Sequence, residues 1–318
     1  MPKTHRRLRR EDRGVIYRMN QAGKSQREIA EAIGFSQGTV SKELSRNRGL
    51  RGYRPAQAQR LSEGRRDGKR ARGHALEGEV LIEVERRLRL HHSPEQISGA
   101  LDVEGIAKVS HETIYRHVRE DRKAGGKLFQ FLRINGKRRY RRRAKAGRYN
   151  KIPGRIGIEE RPVSVENRTR YGDWEVDLIE GRKGTGYLLS MYERKTMTGL
   201  LHRLDTKGAK ETSEGIVTTL KGLRVRTLTY DNGAEFSRHK EVSAALGAKG
   251  YFCNAYHSWE KGGVENFNGL VRQYYPKGSS FEDITPEGLR EVQSALNKRP
   301  RKTLGFTSPS QHKHKLAA

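Results

Sequence analysis

Residues 174–179 read WEVDLI, and their alternation of apolar and acidic side chains predicts a buried β-strand. Asp177 falls on the same face as Glu175 and Ile179, and the opposite face carries the side chains of Trp174, Val176 and Leu178. A carboxylate that faces the protein interior requires a hydrogen-bond partner or a metal ion. Asp177 is therefore a candidate functional residue.

The elements predicted around this strand define a fold class. Strands at 174–179, 187–192 and 199–204 are joined by two short connections and should form an antiparallel meander. A helix at 210–223 and a strand at 225–230 follow, and then a helix, a short strand and a long helix at 235–246, 251–252 and 260–274. This order is that of an α/β ribonuclease H-like domain, which we predict over residues 166–318.

Two further acidic residues occur in contexts that suit a metal site. Asp231 follows an apolar strand in YDNG, at the carboxyl end where open α/β sheets bind ligands. The Asp-Asn-Gly sequence is by itself also typical of a simple turn. Glu265 lies on the long helix, where Asn268 and Arg272 share its face. Three converging carboxylates would suit a pair of hard divalent cations, and such a pair can clamp a phosphodiester.

The composition indicates a polyanionic partner. The chain has 318 residues, with 66 Lys and Arg against 37 Asp and Glu, a net charge of +29. Residues 1–150 carry a net charge of +21 and the remainder +8, so the first half is expected to dock and the second to catalyse. The single cysteine excludes a disulfide framework. With no long apolar run or signal peptide, we expect a cytoplasmic, nucleoid-associated protein without membrane or small-molecule partners.

Residues 1–50 contain a predicted helix-turn-helix domain. Three helices are expected between residues 9 and 47, the second opening on the capping box of Ser25 and Glu28. The third opens on Ser36, and its outward side chains are predicted to contact bases and phosphates. These are Gln37, Thr39, Lys42, Glu43 and Arg46. A small solvated helical bundle is the alternative interpretation.

A second helix-turn-helix domain is predicted over residues 76–125, after a linker at 51–75. Ser93 and Ser110 should cap its last two helices. The outward side chains of the last helix are His111, Glu112, Thr113, Arg116 and Arg119. The alternative is a structural module that dimerises or braces the catalytic domain.

A basic run follows at 137–145, KRRYRRRAK, within a predicted linker at 126–165. Blocks of like charge are usually disordered until they meet a polyanion. We interpret the run as a clamp on DNA phosphates, with a solubilising linker as the alternative. Its predicted DNA contacts are Arg138, Arg139, Arg141, Arg142 and Arg143.

The chain resembles the DDE transposases of the insertion-sequence-thirty family of bacterial mobile elements over nearly its whole length. The motifs that carry the resemblance occur in the family's order: SQREIAEAIGFSQGTVSKELSRN at 25–47, SPEQI at 93–97, VSHETIY at 109–115, WEVDL at 174–178, DNGAEF at 231–236, YHSWEKGGVENFNGLVRQYYPK at 256–277 and RPRKTLGFTSP at 299–309.

The resemblance implies a mechanism and a set of roles. Asp177, Asp231 and Glu265 would be the catalytic triad and the ligands of two Mg²⁺ ions per active site, with Mn²⁺ as a possible substitute. The N-terminal region would recognise the terminal inverted repeats in double-stranded DNA, and the catalytic domain would cleave and transfer strands. We expect Lys261, Asn268 and Arg272 to contact DNA, and the neighbouring acids to be dispensable, namely Glu175, Glu180 and Glu235.

Two rival functions remain open on the sequence. One is a helix-turn-helix repressor without catalysis, and the other is a ribonuclease H-like nuclease that cannot transfer strands. Because two element ends must be handled together, a transposase should be at least a homodimer.

The basic run at 137–145 allows a first test. Each neutralised DNA phosphate adds about −0.9 to the slope of log affinity against log salt. Replacing four of its arginines with Gln should flatten this slope by several units and leave sequence preference unchanged. Binding measured across a salt series would show an unchanged slope if the run is only a linker.

Overall fold

The protein is described by a computed structural model that covers residues 6–50, 52–71, 76–133, 152–254 and 257–312. The chain divides into two compact units, residues 1–75 and 76–318. The basic run at 137–145, with its five predicted DNA-contacting arginines, lies outside the described residues. Its role stays a prediction.

The first unit contains the three predicted helices, α1 (Arg10–Gln21), α2 (Gln26–Ile33) and α3 (Gln37–Asn47). The capping box at the start of α2 is confirmed, since Ser25 and Glu28 each bond the other's backbone N–H. Gly34 ends α2 in the left-handed conformation at φ 67°. The core is formed by apolar side chains from all three helices, including Ile16, Ile29, Ile33 and Val40.

The prediction of a linker at 51–75 was wrong. A short hairpin leads into a 17-residue helix, α4 (Pro55–Ala71). The two strands of the hairpin have two residues each, β1 (Arg48–Gly49) and β2 (Gly52–Tyr53). Among the side chains of this segment that the structure describes, Tyr53 and Ala58 reach the core, so the segment shows little apolar periodicity. Polar contacts also attach α4 to the other helices: Arg13 of α1 donates to Gln59 at 2.7 Å, and Arg65 donates to the Arg46 carbonyl of α3 at 3.3 Å.

Glu43 of α3 was expected to face outward and is instead buried. Its carboxylate accepts from Arg13 at 2.7 Å and from the Tyr53 hydroxyl at 3.2 Å. A charged side chain in a short helix is usually solvent-facing, whereas Glu43 neutralises the buried Arg13 guanidinium.

The second unit begins with the predicted helical module, α5 (Gly78–Arg89), α6 (Pro94–Val103) and α7 (His111–Lys123). Ser93 and Ser110 cap α6 and α7 as predicted. The module packs against the α/β part of the same unit. Lys302 pairs with Glu95 at 2.6 Å, and the Phe306 ring lies against Gly99 so closely that a Cβ there would meet it at 2.3 Å.

After a short helix, α8 (Val163–Glu166), a five-stranded sheet forms the centre of this unit. Its strands are β3 (Asp173–Glu180), β4 (Tyr187–Glu193), β5 (Gly199–Leu204), β6 (Thr227–Tyr230) and β7 (Lys249–Phe252). The order is β5-β4-β3-β6-β7, with β3, β4 and β5 antiparallel and with β6 parallel to both β3 and β7. This is the ribonuclease H-like arrangement that the sequence predicted.

The helices of this part cover both faces of the sheet. α9 (Ala209–Leu220) and α10 (His239–Leu246) pack with Trp174, Val176 and Leu178 on one face. α11 (Gly262–Val271) and α12 (Pro286–Lys298) pack with Ile179 on the other. The predicted division of β3 into two faces is therefore confirmed. None of the helices in the described residues has the length and apolar character needed to cross a membrane.

The boundaries of two predicted helices differ from the structure. Residues 234–236 and 258–261 form separate 3-10 turns that precede α10 and α11. Gly262 and Gly263, poor helix formers, are the first two residues of α11, so the helix begins later than predicted. The predicted end at 274 also overshoots, since Arg272 caps the helix.

His92, in the turn between α5 and α6, should make the free energy of unfolding depend on pH. Burial, reinforced by nearby cations such as Arg299 and Arg87, lowers the pKa of His92 to about 3. Because the unfolded chain would bind this proton near the ordinary pKa of 6.5, unfolding becomes easier as pH falls from about 6.5 towards 3. Chemical denaturation of His92→Gln should show a smaller loss of stability between pH 7 and 4 than the native protein.

The exposed His111 of α7 provides the control for this effect. His111→Gln should retain the pH dependence of the native protein. Identical pH profiles for His92→Gln and the native protein would contradict the assignment.

Candidate active site

Asp177 and Asp231 are brought together by two neighbouring parallel strands. β3 and β6 pair in register up to Glu175 and Thr229, and each aspartate lies two residues further along its chain. Asp231 follows the end of β6, and its Oδ1 accepts from the Gly233 N–H at 2.9 Å. The loop after Tyr230 thus turns back and holds the carboxylate at the sheet edge.

Lys261 places an ammonium between these two carboxylates. Its Nζ lies 3.1 Å from Asp177 Oδ1 and 3.2 Å from Asp231 Oδ2, and it also donates to the Val176 carbonyl at 3.1 Å. The Lys261 side chain is only 5% exposed, against 22% for Asp177 and 43% for Asp231. Two negative groups therefore surround one cation position at the edge of the sheet.

The electrostatics of this cluster favour a bound cation. Burial by itself lowers the pKa of Lys261, but Asp177 and Asp231 outweigh it and hold that pKa above its ordinary value. Burial raises the pKa of Asp177 despite the ammonium, and the charge of Asp231 acts in the same direction. The two carboxylates repel each other, so they are most stable with a positive charge between them.

Asn268 of α11 completes the surroundings of Asp177. Its Nδ2 donates to Asp177 Oδ2 at 2.7 Å. Its Oδ1 is buried and has no hydrogen-bond partner among the described residues. A buried, unsatisfied oxygen next to a carboxylate is a further potential donor atom to a cation or to a water molecule bound to one.

Glu265 lies on α11, four residues after Lys261, and is exposed. Neither aspartate contacts it through a hydrogen bond within the described part of the chain. No three His, Cys, Asp or Glu side chains of that part lie together as a metal-holding group. The structure therefore pairs Asp177 with Asp231, and the third carboxylate stays a prediction.

The side chains of Lys261 and Arg272, both predicted to contact DNA, make contacts within the protein in this structure. Lys261 is held by the aspartates. Arg272 donates to the Glu180 carbonyl at 2.7 Å, and its guanidinium lies 5.9 Å from the centre of the Phe281 ring. Asn268 is engaged by Asp177, so the DNA contacts of these three residues stay predictions.

The predicted contacts on the helix-turn-helix modules are more accessible. Gln37, Lys42 and Arg46 of α3 are exposed. The Thr39 hydroxyl is partly buried and bonds Ser36 Oγ at 2.9 Å. On α7 the side chains of His111 and Arg116 are exposed and Thr113 is partly buried.

Two neighbouring acids are less peripheral than the sequence suggested. Glu175 is fully buried and accepts from the Val264 N–H of α11 at 2.7 Å and from Arg194. Burial raises the pKa of Glu235, and the charges of Asp231 and Asp177 add to the effect. The sequence signal for Glu175 was its position on the same face of β3 as Asp177, two residues earlier. Glu180 is exposed and is the better control residue.

Comparisons with known proteins agree with this architecture. Residues 4–47 match the family described as a helix-turn-helix domain. The chain is 41% identical over 305 residues to the transposase for insertion sequence element IS4351 of Bacteroides fragilis, covering 95% of this chain and 93% of the relative.

Two further relatives span most of the chain. The transposase InsI for insertion sequence element IS30A of Escherichia coli (strain K12) is 34% identical, over 90% of this chain and 77% of the relative. The transposase for insertion sequence element IS1086 of Cupriavidus metallidurans is 35% identical, over 90% of this chain and 88% of the relative.

Among solved structures, one match is a chain of the simian T-cell lymphotropic virus intasome in complex with PP2A regulatory subunit B56 gamma. It has a TM-score of 0.39 and 15% identity, and it covers 54% of this chain and 60% of that chain. The fold assignment rests on the strand order, and the family assignment on relatives that match over at least 90% of this chain. The chain belongs to the IS30 family of insertion-sequence transposases.

Proposed function

We propose that this transposase cleaves DNA at the ends of its mobile element and joins those ends to a new site, with Asp177, Asp231 and Glu265 as catalytic residues. The observation that carries the proposal is the pair of aspartates around one cation position at the sheet edge. The chain has a net charge of +29, but this site is negative and would repel a phosphodiester. It can bind one only if cations lie between the carboxylates and the phosphate.

The residues at this position fit a divalent metal. Two aspartate carboxylates and the unsatisfied Asn268 Oδ1 are hard oxygen donors, which Mg²⁺ prefers and Mn²⁺ accepts. Asp177 and Asp231 would hold the metal, and Glu265 would complete the set from α11. A pair of such ions, when bound, polarises the scissile phosphate and stabilises the attacking and leaving oxygens.

The protein's own groups prepare the site. Lys261 offsets the repulsion between the aspartates, and its flexible stem would let the ammonium turn to a DNA phosphate when another cation binds. Asn268 fixes the orientation of Asp177. Arg272, anchored on the Glu180 carbonyl, keeps positive charge on the Glu265 side of α11.

DNA recognition would belong to the helical modules. The exposed side chains of α3 would enter the major groove of the terminal inverted repeats, and α7 would make a second contact or brace the catalytic domain. Two ends must be joined in one reaction, so the active assembly would be at least a homodimer on double-stranded DNA.

The triad is tested by replacing each carboxylate with its amide. Asp177→Asn, Asp231→Asn and Glu265→Gln keep the side-chain shape but remove an anionic metal ligand. Each should reduce Mg²⁺-dependent nicking and strand transfer of end DNA by more than about a hundredfold and leave end binding intact. Gel assays with labelled element ends measure both steps.

The exposed Glu180 supplies the matched control, since Glu180→Gln should keep full activity. Full activity in Glu265→Gln would remove this residue from the site. Mg²⁺-dependent nicking by the native protein would exclude a pure repressor. Joining of pre-cut ends would exclude a nuclease that cannot transfer strands.

The sequence specificity of DNA binding is tested on α3. Good base contacts contribute about 1–3 kcal/mol each to discrimination. Replacing Lys42 and Arg46 with Ala should therefore lower the ratio of affinities for end and random DNA. The exposed Lys24, outside α3, is the control, and Lys24→Ala should preserve the ratio. Equal weakening of both DNAs in the α3 variant would show that these residues contact phosphates only.

A further inference from the structure

We propose that Glu175 is a positioning residue for the active site, which it serves by fixing the start of α11. The inference rests on the proposed function, because α11 carries Glu265 and begins directly after Lys261. Glu175 lies two residues before Asp177 on β3, with no exposed surface. One strand would thus supply a catalytic carboxylate and also the anchor for the helix that carries another.

The contact is made at the first turn of α11. The first N–H groups of a helix have no partner within the helix, and Val264 is the third residue of α11. Glu175 Oε2 accepts its N–H at 2.7 Å. A carboxylate at this end also interacts favourably with the helix dipole. Glu175 therefore caps α11 from a different element, 89 residues away in the chain.

The carboxylate is itself held in place by Arg194. The Arg194 guanidinium bonds Glu175 Oε1, and its Nε donates to the Val165 carbonyl at 3.0 Å. The side chains of Arg194 and Glu175 are 6% and 0% exposed, so bulk water solvates neither charge well. Such a pair fixes geometry because removing Arg194 would leave the Glu175 carboxylate buried without its cation.

Gly263 permits this close approach. A Cβ at this position would lie 2.7 Å from Glu175 Oε2 and 2.6 Å from the Tyr192 ring. Any larger residue would push the start of α11 away from the sheet. The helix therefore reaches the anchor only because its second residue is glycine.

The consequence for the site is positional. Lys261 precedes Val264 by three residues, and Glu265 follows it by one. Both functional side chains therefore leave the backbone within one turn of the anchored N–H. Releasing that N–H would shift the ammonium and the third carboxylate together relative to Asp177 and Asp231, without altering either aspartate.

Paired double variants separate positioning from folding. Glu175→Gln with Arg194→Met removes both buried charges but keeps an amide oxygen to accept from Val264. Glu175→Met with Arg194→Met removes the charges and the acceptor. Replacing a buried ion pair by apolar groups of similar volume is often neutral for stability. Both proteins should therefore fold, as thermal unfolding would verify.

The first readout is hydrogen exchange in residues 262–271, followed by mass spectrometry. The variant without an acceptor should exchange about tenfold faster there than the variant that keeps one, the change expected for one lost hydrogen bond. The second readout is the Mg²⁺ concentration for half-maximal nicking, which should rise about tenfold in the same variant with end binding unchanged.

Glu193→Gln is the control for burial, since Glu193 is also fully buried but its carboxylate bonds Gly172 and Thr196 among the described residues, not α11. It should leave exchange in α11 and the Mg²⁺ requirement at native values. Equal exchange and equal Mg²⁺ requirements in the two double variants would overturn the inference.

Failure of the proposed function would look different. A fully active Glu265→Gln would remove the triad whatever Glu175 does. A shift in exchange without a shift in the Mg²⁺ requirement would overturn the positioning role, with the triad still supported by inactive Asp177→Asn and Glu265→Gln.

Discussion

Two carboxylates on neighbouring parallel strands repel each other unless a cation lies between them, and this constraint shapes the active site. The register of β3 and β6 brings Asp177 and Asp231 together, and Lys261 supplies the charge that offsets their repulsion. A site that holds an ammonium in this way already has the spacing and polarity of a cation site. Its negative charge contrasts with a strongly basic chain, so attraction of a polyanion and binding of a cation would fall to different parts of the molecule.

Within the second unit, β3 connects the helices on the two faces of the sheet. β3 lies at the centre of the sheet, and one of its faces packs with α9 and α10 while the other meets α11. On that second face, Glu175 bonds the backbone of α11 and Asp177 bonds Asn268 of the same helix. The start and the middle of α11 are therefore both hydrogen-bonded to β3.

Much of this could be predicted from the sequence because alternation and capping are local signals. The two faces of β3, the meander and the caps at Ser25, Ser93 and Ser110 follow from residue order alone. The helix α4 gave little apolar signal, because few of its described side chains reach the core. The inward Glu43 could not be predicted in this way, since it depends on Arg13 from another helix. The role of Glu175 was missed for the same reason. Its partners, Arg194 and Val264, are distant in sequence, and nothing in a β-strand pattern distinguishes an anchoring carboxylate from a dispensable one.

We propose that Asp177, Asp231 and Glu265 form one metal site when DNA is bound. A crystal structure of the protein with pre-cut end DNA and Mn²⁺, using the anomalous signal of manganese, tests it most directly. Manganese should be coordinated by both aspartates, with Glu265 turned in as a ligand and the Lys261 ammonium displaced from between the aspartates. Lys261 still bridging the aspartates, with Glu265 more than about 10 Å away and no manganese between them, would contradict it.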